Sequence, residues 1–177
     1  MSNDGPMLDR DGIIAALTVL GERLLAQGVH ADIFIVGGAA MALAYSDRRL
    51  TTDIDAQFEP KMLIYETADE VAREMGLPEG WLNDGAKTYM PGRDGQARPI
   101  QGIPGIEVTV ASPEYLLTMK LLAMRMGEDD DDIITLLDMC GITSAQEAID
   151  LVERMNRGQK TLPRARFWLQ QYFEGEE

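Results

Sequence analysis

The run "ADIFIV", residues 31–36, is apolar apart from Asp32 and stops at Gly37-Gly38, after which "AAMALAYS" has the composition of a helix. A short apolar strand that enters a helix through two glycines is a βα step. It commits the chain to a sheet covered by helices. The second half of the constraint is "TTDIDAQFE", residues 51–59, which reads as a strand: Ile54, Ala56 and Phe58 point one way and Asp53, Asp55 and Gln57 the other.

The rest of the chain fills in around these two strands. Asp9 or Asp11 caps a first helix carrying Ile13, Ile14, Leu17, Leu20 and Leu24 at helical spacing, and Gly28 ends it. Pro60 opens another helix, with Leu63, Val71 and Met75 on its apolar side, which runs to Gly76. A Gly- and Pro-rich stretch follows, in which Asp94-Gly95 suits a hairpin turn. "IEVTVA" then alternates, with Ile106, Val108 and Val110 inward and Glu107 and Thr109 on the opposite face. Ser112-Pro113 starts a helix that is apolar almost all round and so is expected to be buried. Further helices are expected from Asp132 to Cys140, from Ala145 to Met155 behind a Ser144/Glu147 capping box, and over the aromatic stretch from Phe167 to Phe173. The pattern is α/β: a small mixed sheet flanked by helices over 1–140, with a helical extension over 141–177 packed on that core.

Composition narrows the chemistry. No apolar run reaches the length of a membrane span and "MSNDGPMLDRDG" is no signal peptide, so a soluble, cytoplasmic protein is expected, with no membrane partner. One cysteine, Cys140, excludes an internal disulfide, and one histidine, His30, excludes a His/Cys zinc cage. His30 follows a helix end and reads as a surface residue, so histidine-assisted serine or cysteine nucleophiles are not expected. A net charge of -14 argues against general nucleic-acid binding, which rests on phosphate neutralisation. Charge is uneven, however: Arg154, Arg157, Lys160, Arg164 and Arg166 form a basic strip that could meet RNA or an acidic partner, or else offsets neighbouring acids.

Asp53 and Asp55 stand two apart on a strand, their Cα atoms ~7 Å apart, so the carboxylates can converge on one point. At ~5 Å two carboxylates repel by roughly 3 kcal/mol at an effective dielectric of ~20, which a cation or solvent must relieve. Oxygen-only ligation suits magnesium or manganese, which keep positions for water and substrate phosphate. The alternative is an acidic strand face lying in water. Gly37-Gly38 lets backbone approach a ligand closely, although a tight strand-to-helix turn asks for glycine as well. Lys120 is the only charge between Tyr115 and Met124, so it must snorkel out or meet an anion. Asp129 to Asp132 suit a helix N-terminus on dipole grounds alone.

Taken together, an apolar residue, Gly-Gly, a helix and a strand bearing Asp-x-Asp resemble the nucleotidyltransferase superfamily of DNA polymerase β. "ASPEYLLTMKLLAMRMGEDDDDIITLL" is similar to the C-terminal signature of AbiEii-type toxin-antitoxin nucleotidyltransferases, so the resemblance covers residues 32–140. "WLNDGAK", residues 81–87, also looks like a stretch recurrent in short bacterial members of this group.

The resemblance implies a nucleotidyltransferase fold and transfer of a nucleoside monophosphate from an NTP. Asp53 and Asp55 would hold Mg2+ or Mn2+, with Glu107 the candidate third carboxylate. Gly37 and Gly38 would cradle the phosphates, with Lys120 beside them and Asp131 or Asp132 anchoring that lysine or the following segment. Thr51 or Thr52 would supply a hydroxyl that Ala39 and Ala40 cannot, and Arg48 or Arg49 would reach the phosphates unless they belong to a solvated loop. The implied acceptor is RNA, foremost a tRNA end, in a toxin-like enzyme that could have a cognate antitoxin or partner protein. The alternatives are an antitoxin-type enzyme that attaches AMP to a protein, and a decayed member that only binds nucleotide or a partner.

Overall fold

The computed structural model describes residues 5–47 and 49–175. They divide into two compact units. One holds the described residues up to Thr88 together with Ala97–Ala111; the other holds Tyr89–Gln96 and the described residues from Ser112 onward. The buried helix after Ser112 thus groups with the later helices.

The first unit is an α/β layer. Helix α1 (Arg10–Ala26) is capped by Asp9, whose carboxylate accepts from the Gly12 N–H at 2.8 Å, and it buries Ile13, Leu17, Leu20 and Leu24. Strand β1 (Ala31–Ile35) leads through Val36 into α2 (Gly37–Ala40), which continues as one wide π-helical turn, Met41–Tyr45. Strand β2 (Ile54–Glu59) is followed by α3 (Lys61–Met75), ended by Gly76 in the left-handed conformation. Then come β3 (Leu82–Asn83), β4 (Arg98–Ile100) and β5 (Ile106–Val110).

The sheet is mixed, in the order β3-β2-β1-β5-β4. β1 runs antiparallel to β2 and parallel to β5; β3 is parallel to β2, and β4 antiparallel to β5. Ile33 pairs with both Phe58 and Val108, and Ile35 with both Ala56 and Val110, so three strands bury their apolar residues on one face. α1 packs against α3, and α3 against β2; Arg23 of α1 bridges to Glu70 and Glu74 of α3. The alternation expected of β2 and β5 is present. Asp53 lies just before β2 rather than in it.

The second unit is helical: α4 (Pro113–Ala123), α5 (Asp130–Met139), α6 (Ala145–Met155) and α7 (Pro163–Glu174). α4 is buried on nearly every side, as its composition requires, and packs on α5 and α6, while α6 packs on α7. Asp94-Gly95 is not a strand-to-strand hairpin. The Asp94 carboxylate accepts from its own Gln96 N–H at 3.0 Å and from the N–H and hydroxyl of Ser112 at 2.7 and 3.0 Å. Ser112 in turn caps α4 by accepting from the Tyr115 N–H. Tyr115 is buried with its hydroxyl donating to the Pro91 carbonyl at 3.1 Å, and burial pushes the phenol up to about 12.

Candidate functional site

The Gly-Gly turn and the Asp-x-Asp stretch are brought together in the first unit. Gly37 has φ of +64°, and a Cβ placed on it would stand 3.2 Å from Oδ2 of Asp55. A Cβ on Gly38 would stand 3.2 Å from Oγ1 of Thr51 and 3.6 Å from Nη2 of Arg49. Gly37 suits the left-handed backbone, and a side chain at either glycine would crowd Asp55 Oδ2 or Thr51 Oγ1, with the Arg49 guanidinium at ordinary contact distance from Gly38. The Val36 N–H donates to the Asp55 carbonyl at 2.9 Å, which ties the end of β1 to the strand bearing the acid.

Thr51 is held in its turn. Its N–H and carbonyl exchange hydrogen bonds with Leu8 at 2.9 and 2.7 Å, and its hydroxyl donates to the Asp53 carbonyl at 2.9 Å. Those bonds bend the chain at Thr52 and Asp53 and delay the start of β2. Of the two threonines expected near the turn, Thr51 is the one set against Gly38; Thr52 is half-buried beside it. Arg49 is half-buried near the glycines, and Arg48 lies outside the described residues.

Asp53 and Asp55 are half-buried on either side of fully buried Ile54, so both carboxylates lie on the side of the chain away from the apolar core. Asp53 Oδ2 accepts from Nδ2 of Asn83 at 3.2 Å. Asp55 lies against Gly37 and Asp53 is held by Asn83, and carboxylate oxygens of this kind are ligands that magnesium or manganese takes together with water and phosphate.

Glu107 is not brought to the pair. Ile35 is level with both Ala56 and Val110, so Asp55 is one residue beyond that level and Glu107 three residues short of it. Four residues along the strands is about 13 Å. Glu107 is level with Asp32 and exposed, and the β5 residues nearer the pair, Val108, Thr109 and Val110, carry no carboxylate. Among the described residues no group of three or more His, Cys, Asp or Glu is placed to hold a metal.

Lys120 belongs to the second unit, and the anion it meets there is protein. Its Nζ is 2.6 Å from Asp129 Oδ1 and 2.9 Å from Asp132 Oδ2, with side-chain exposures of 11%, 2% and 9% in that order. Arg125 adds two bonds to Asp129, at 3.0 and 3.1 Å. Burial pushes the Asp129 carboxyl up, and the Lys120 and Arg125 bonds outweigh it and hold it below its ordinary value. Asp132 pairs with the lysine as expected, Asp131 is exposed, and Asp129 is the partner that sequence reasoning missed. Its signal was available: a lone lysine in an apolar helix with an acidic run nine residues on.

Of the five cations of the basic strip, Arg164 and Arg166 are held by hydrogen-bonded partners, while the Lys160 side chain is 85% exposed. Arg166 and Lys160 both pair with Glu153, Lys160 at 3.9 Å, and Glu153 is held low first by the Thr161 N–H and then by these cations. Arg164 donates to the Ala123 carbonyl at 2.7 Å, at the C-terminus of α4. The Arg157 guanidinium lies over Gly92. No helix among the described residues is long and apolar enough to cross a membrane.

No protein-family profile and no curated sequence matches the chain. A solved structure, described as an antigenic nucleotidyltransferase-like protein from Paracoccidioides brasiliensis, is similar over 76% of this chain and 79% of its own, with 17% identity and a TM-score of 0.46.

Proposed function

We propose that this chain is a metal-dependent nucleotidyltransferase that moves a nucleoside monophosphate from an NTP to an acceptor hydroxyl. The observation that carries the reading is the seat of Asp55 over Gly37, with Asp53 just before the same strand. Asp53 and Asp55 would hold Mg2+ or Mn2+, which when bound supplies charge neutralisation at the phosphates and a more acidic acceptor oxygen. The chain's own part is positioning. Gly37 and Gly38 leave backbone bare where phosphate oxygens approach, and Thr51 and Arg49 offer a hydroxyl and a fixed positive charge beside Gly38. The acceptor hydroxyl gives up its proton to solvent, its oxygen bonds to the α-phosphorus, the bond from the α-phosphorus to the β-phosphate oxygen breaks, and pyrophosphate departs. Neither Glu107 nor Lys120 is assigned a part: the first stands down the sheet from the pair and the second already meets two carboxylates.

The acceptor we propose is RNA, foremost a tRNA end, in a toxin-antitoxin setting; its support is the resemblance of residues 32–140. Transfer of AMP to a partner protein is the second reading, favoured by the engagement of the basic strip with Glu153 and with the Ala123 carbonyl. The test is incubation with each α-labelled NTP and Mg2+ or Mn2+, with total tRNA in one arm and protein lysate in the other. Label on tRNA that is lost in the Asp53→Asn/Asp55→Asn variant supports the first reading, and label on protein the second. Label in neither arm, with all four nucleotides and both metals, overturns transfer.

A further inference from the structure

The stretch "WLNDGAK" is left without a role by the sequence, yet the fold builds it against the carboxylate pair. β3 is its second and third residues, with Leu82 opposite Ile54 and Asn83 opposite Asp55. Leu82 and Ile54 are buried together, so Asn83 shares the outward face of Asp55.

Both flanks of Asn83 are anchored. Before it, buried Trp81 donates from Nε1 to the Ala68 carbonyl of α3 at 2.9 Å and accepts from the Ile54 N–H at 2.6 Å. After it, the Asp84 carboxylate accepts from Lys61 Nζ at 2.5 Å, from the Tyr65 hydroxyl at 2.6 Å and from Lys87 Nζ at 3.4 Å. The Asp84 N–H donates back to the Tyr65 oxygen at 3.2 Å. A two-residue strand would not hold its place by itself. Here a tryptophan on one side and a clamp onto α3 on the other hold it.

The Asn83 amide has one orientation. Its Oδ1 accepts from the Gly85 N–H at 3.0 Å, which turns Nδ2 toward the Gly80 carbonyl and Asp53 Oδ2, both at 3.2 Å. A flipped amide would set its oxygen against a carboxylate and a carbonyl, and its nitrogen against an N–H. A carboxylate that ligates a cation binds best when its orientation is set beforehand by a hydrogen bond from a neighbour.

We propose that Asn83 is the positioning residue of the cation site, holding Oδ2 of Asp53 so that the carboxylate meets the metal in a fixed orientation, with the Asp84 clamp as its anchor. The inference rests on the nucleotidyltransferase reading of Asp53 and Asp55. Asn83→Ser is the decisive variant: the serine hydroxyl can still accept from the Gly85 N–H in a similar turn, but it is too short to serve Asp53. Asn83→Gln, whose amide is displaced by one methylene, gives a second measure of the same effect. Binding of Mn2+ alone is followed by electron paramagnetic resonance, alongside thermal melting without metal, in wild type, both Asn83 variants, Asp53→Asn and Asp53→Asn/Asn83→Ser.

The expected result is Mn2+ affinity lower by about 10-fold or more in the Asn83 variants, with melting within about 2 °C of wild type and no further loss when Asn83→Ser is added to Asp53→Asn. If Asp53→Asn loses Mn2+ while the Asn83 variants keep wild-type affinity, the inference fails and the reading of the site stands. If Asp53→Asn binds as wild type does, the reading fails and takes the inference with it. Lower melting with unchanged affinity would make Asn83 merely structural and also overturn the inference.

Discussion

Lys120 and Asp129 form a buried ion pair of 2.6 Å within the helical unit, and Asp132 closes on the same amine from the first turn of α5. Lys120→Met keeps the apolar stem and removes the charge, leaving two buried carboxylates with one cation fewer. Breaking a buried pair from one side costs roughly 3–5 kcal/mol, and the remaining bonds from Arg125 to Asp129 put this case near the lower end. Urea unfolding of the variant should therefore show a loss of about 3 kcal/mol. A midpoint equal to wild type would mean that the lysine is not held by these acids in solution.

The same pair has a pH signature. The Asp129 carboxyl lies below its ordinary value when folded, because the Lys120 and Arg125 bonds outweigh its burial. A depressed folded pKa gives stability that is whole above the unfolded pKa and is lost as pH falls through the folded one. The stability gap between wild type and Asp129→Asn should thus be constant above about pH 5 and shrink below it. An acid limb survives in the variant, since Lys61 and Tyr65 hold Asp84 low and Thr161 with its basic neighbours holds Glu153 low. Parallel stability curves from pH 7 to pH 3 would remove the pair from the account of acid sensitivity.

What could be read from the sequence was whatever repeats along one element. The alternation of Ile54, Ala56 and Phe58, and that of Ile106, Val108 and Val110, predicts which face is buried, and the structure buries it. Features set by contacts between distant segments were hidden. Asp94 looks like a turn residue, yet its carboxylate serves Ser112 eighteen residues away. Asp53 precedes β2 because Thr51 is paired with Leu8 from the start of the chain. The wide turn Met41–Tyr45 has the composition of an ordinary helix. β3 is two residues long, too short for any period, so the role of Asn83 beside Asp53 could not be seen. At the candidate site the glycines and the two aspartates were legible as a pattern, while the level of Glu107 depends on register between strands, which no single strand's pattern carries.

The basic strip makes a prediction opposite to that of a free polyanion platform. Lys160 and Arg166 share Glu153, Arg164 is spent on the end of α4, and Arg157 covers Gly92. Replacing Arg157, Lys160 and Arg164 with glutamine should leave RNA affinity and its salt dependence unchanged, and lower thermal stability through the lost bond to Ala123. Each phosphate contact contributes about 0.9 to the salt slope for duplex nucleic acid and about 0.7 for single strands. A slope shallower by about 2 in the triple variant would restore the strip as an RNA surface.

Gly37 and Gly76 separate backbone strain from close approach. Both are left-handed, with φ of +64° and +67°. A Cβ on Gly76, at the end of α3, would meet nothing within 4 Å, whereas on Gly37 it would press on Asp55 Oδ2 at 3.2 Å. Gly76→Ala should lose about 1 kcal/mol, the ordinary penalty for a side chain in that conformation. Gly37→Ala carries the same penalty and in addition forces the Asp55 carboxylate to shift by a few tenths of an ångström. The two variants should thus be destabilised to a similar degree in urea, with Gly37→Ala somewhat the worse. Mn2+ binding should fall in Gly37→Ala and stay at the wild-type level in Gly76→Ala, because only the first moves a carboxylate of the pair. Equal Mn2+ binding by both variants would mean that the contact between Gly37 and Asp55 serves only the turn and does not shape a cation site.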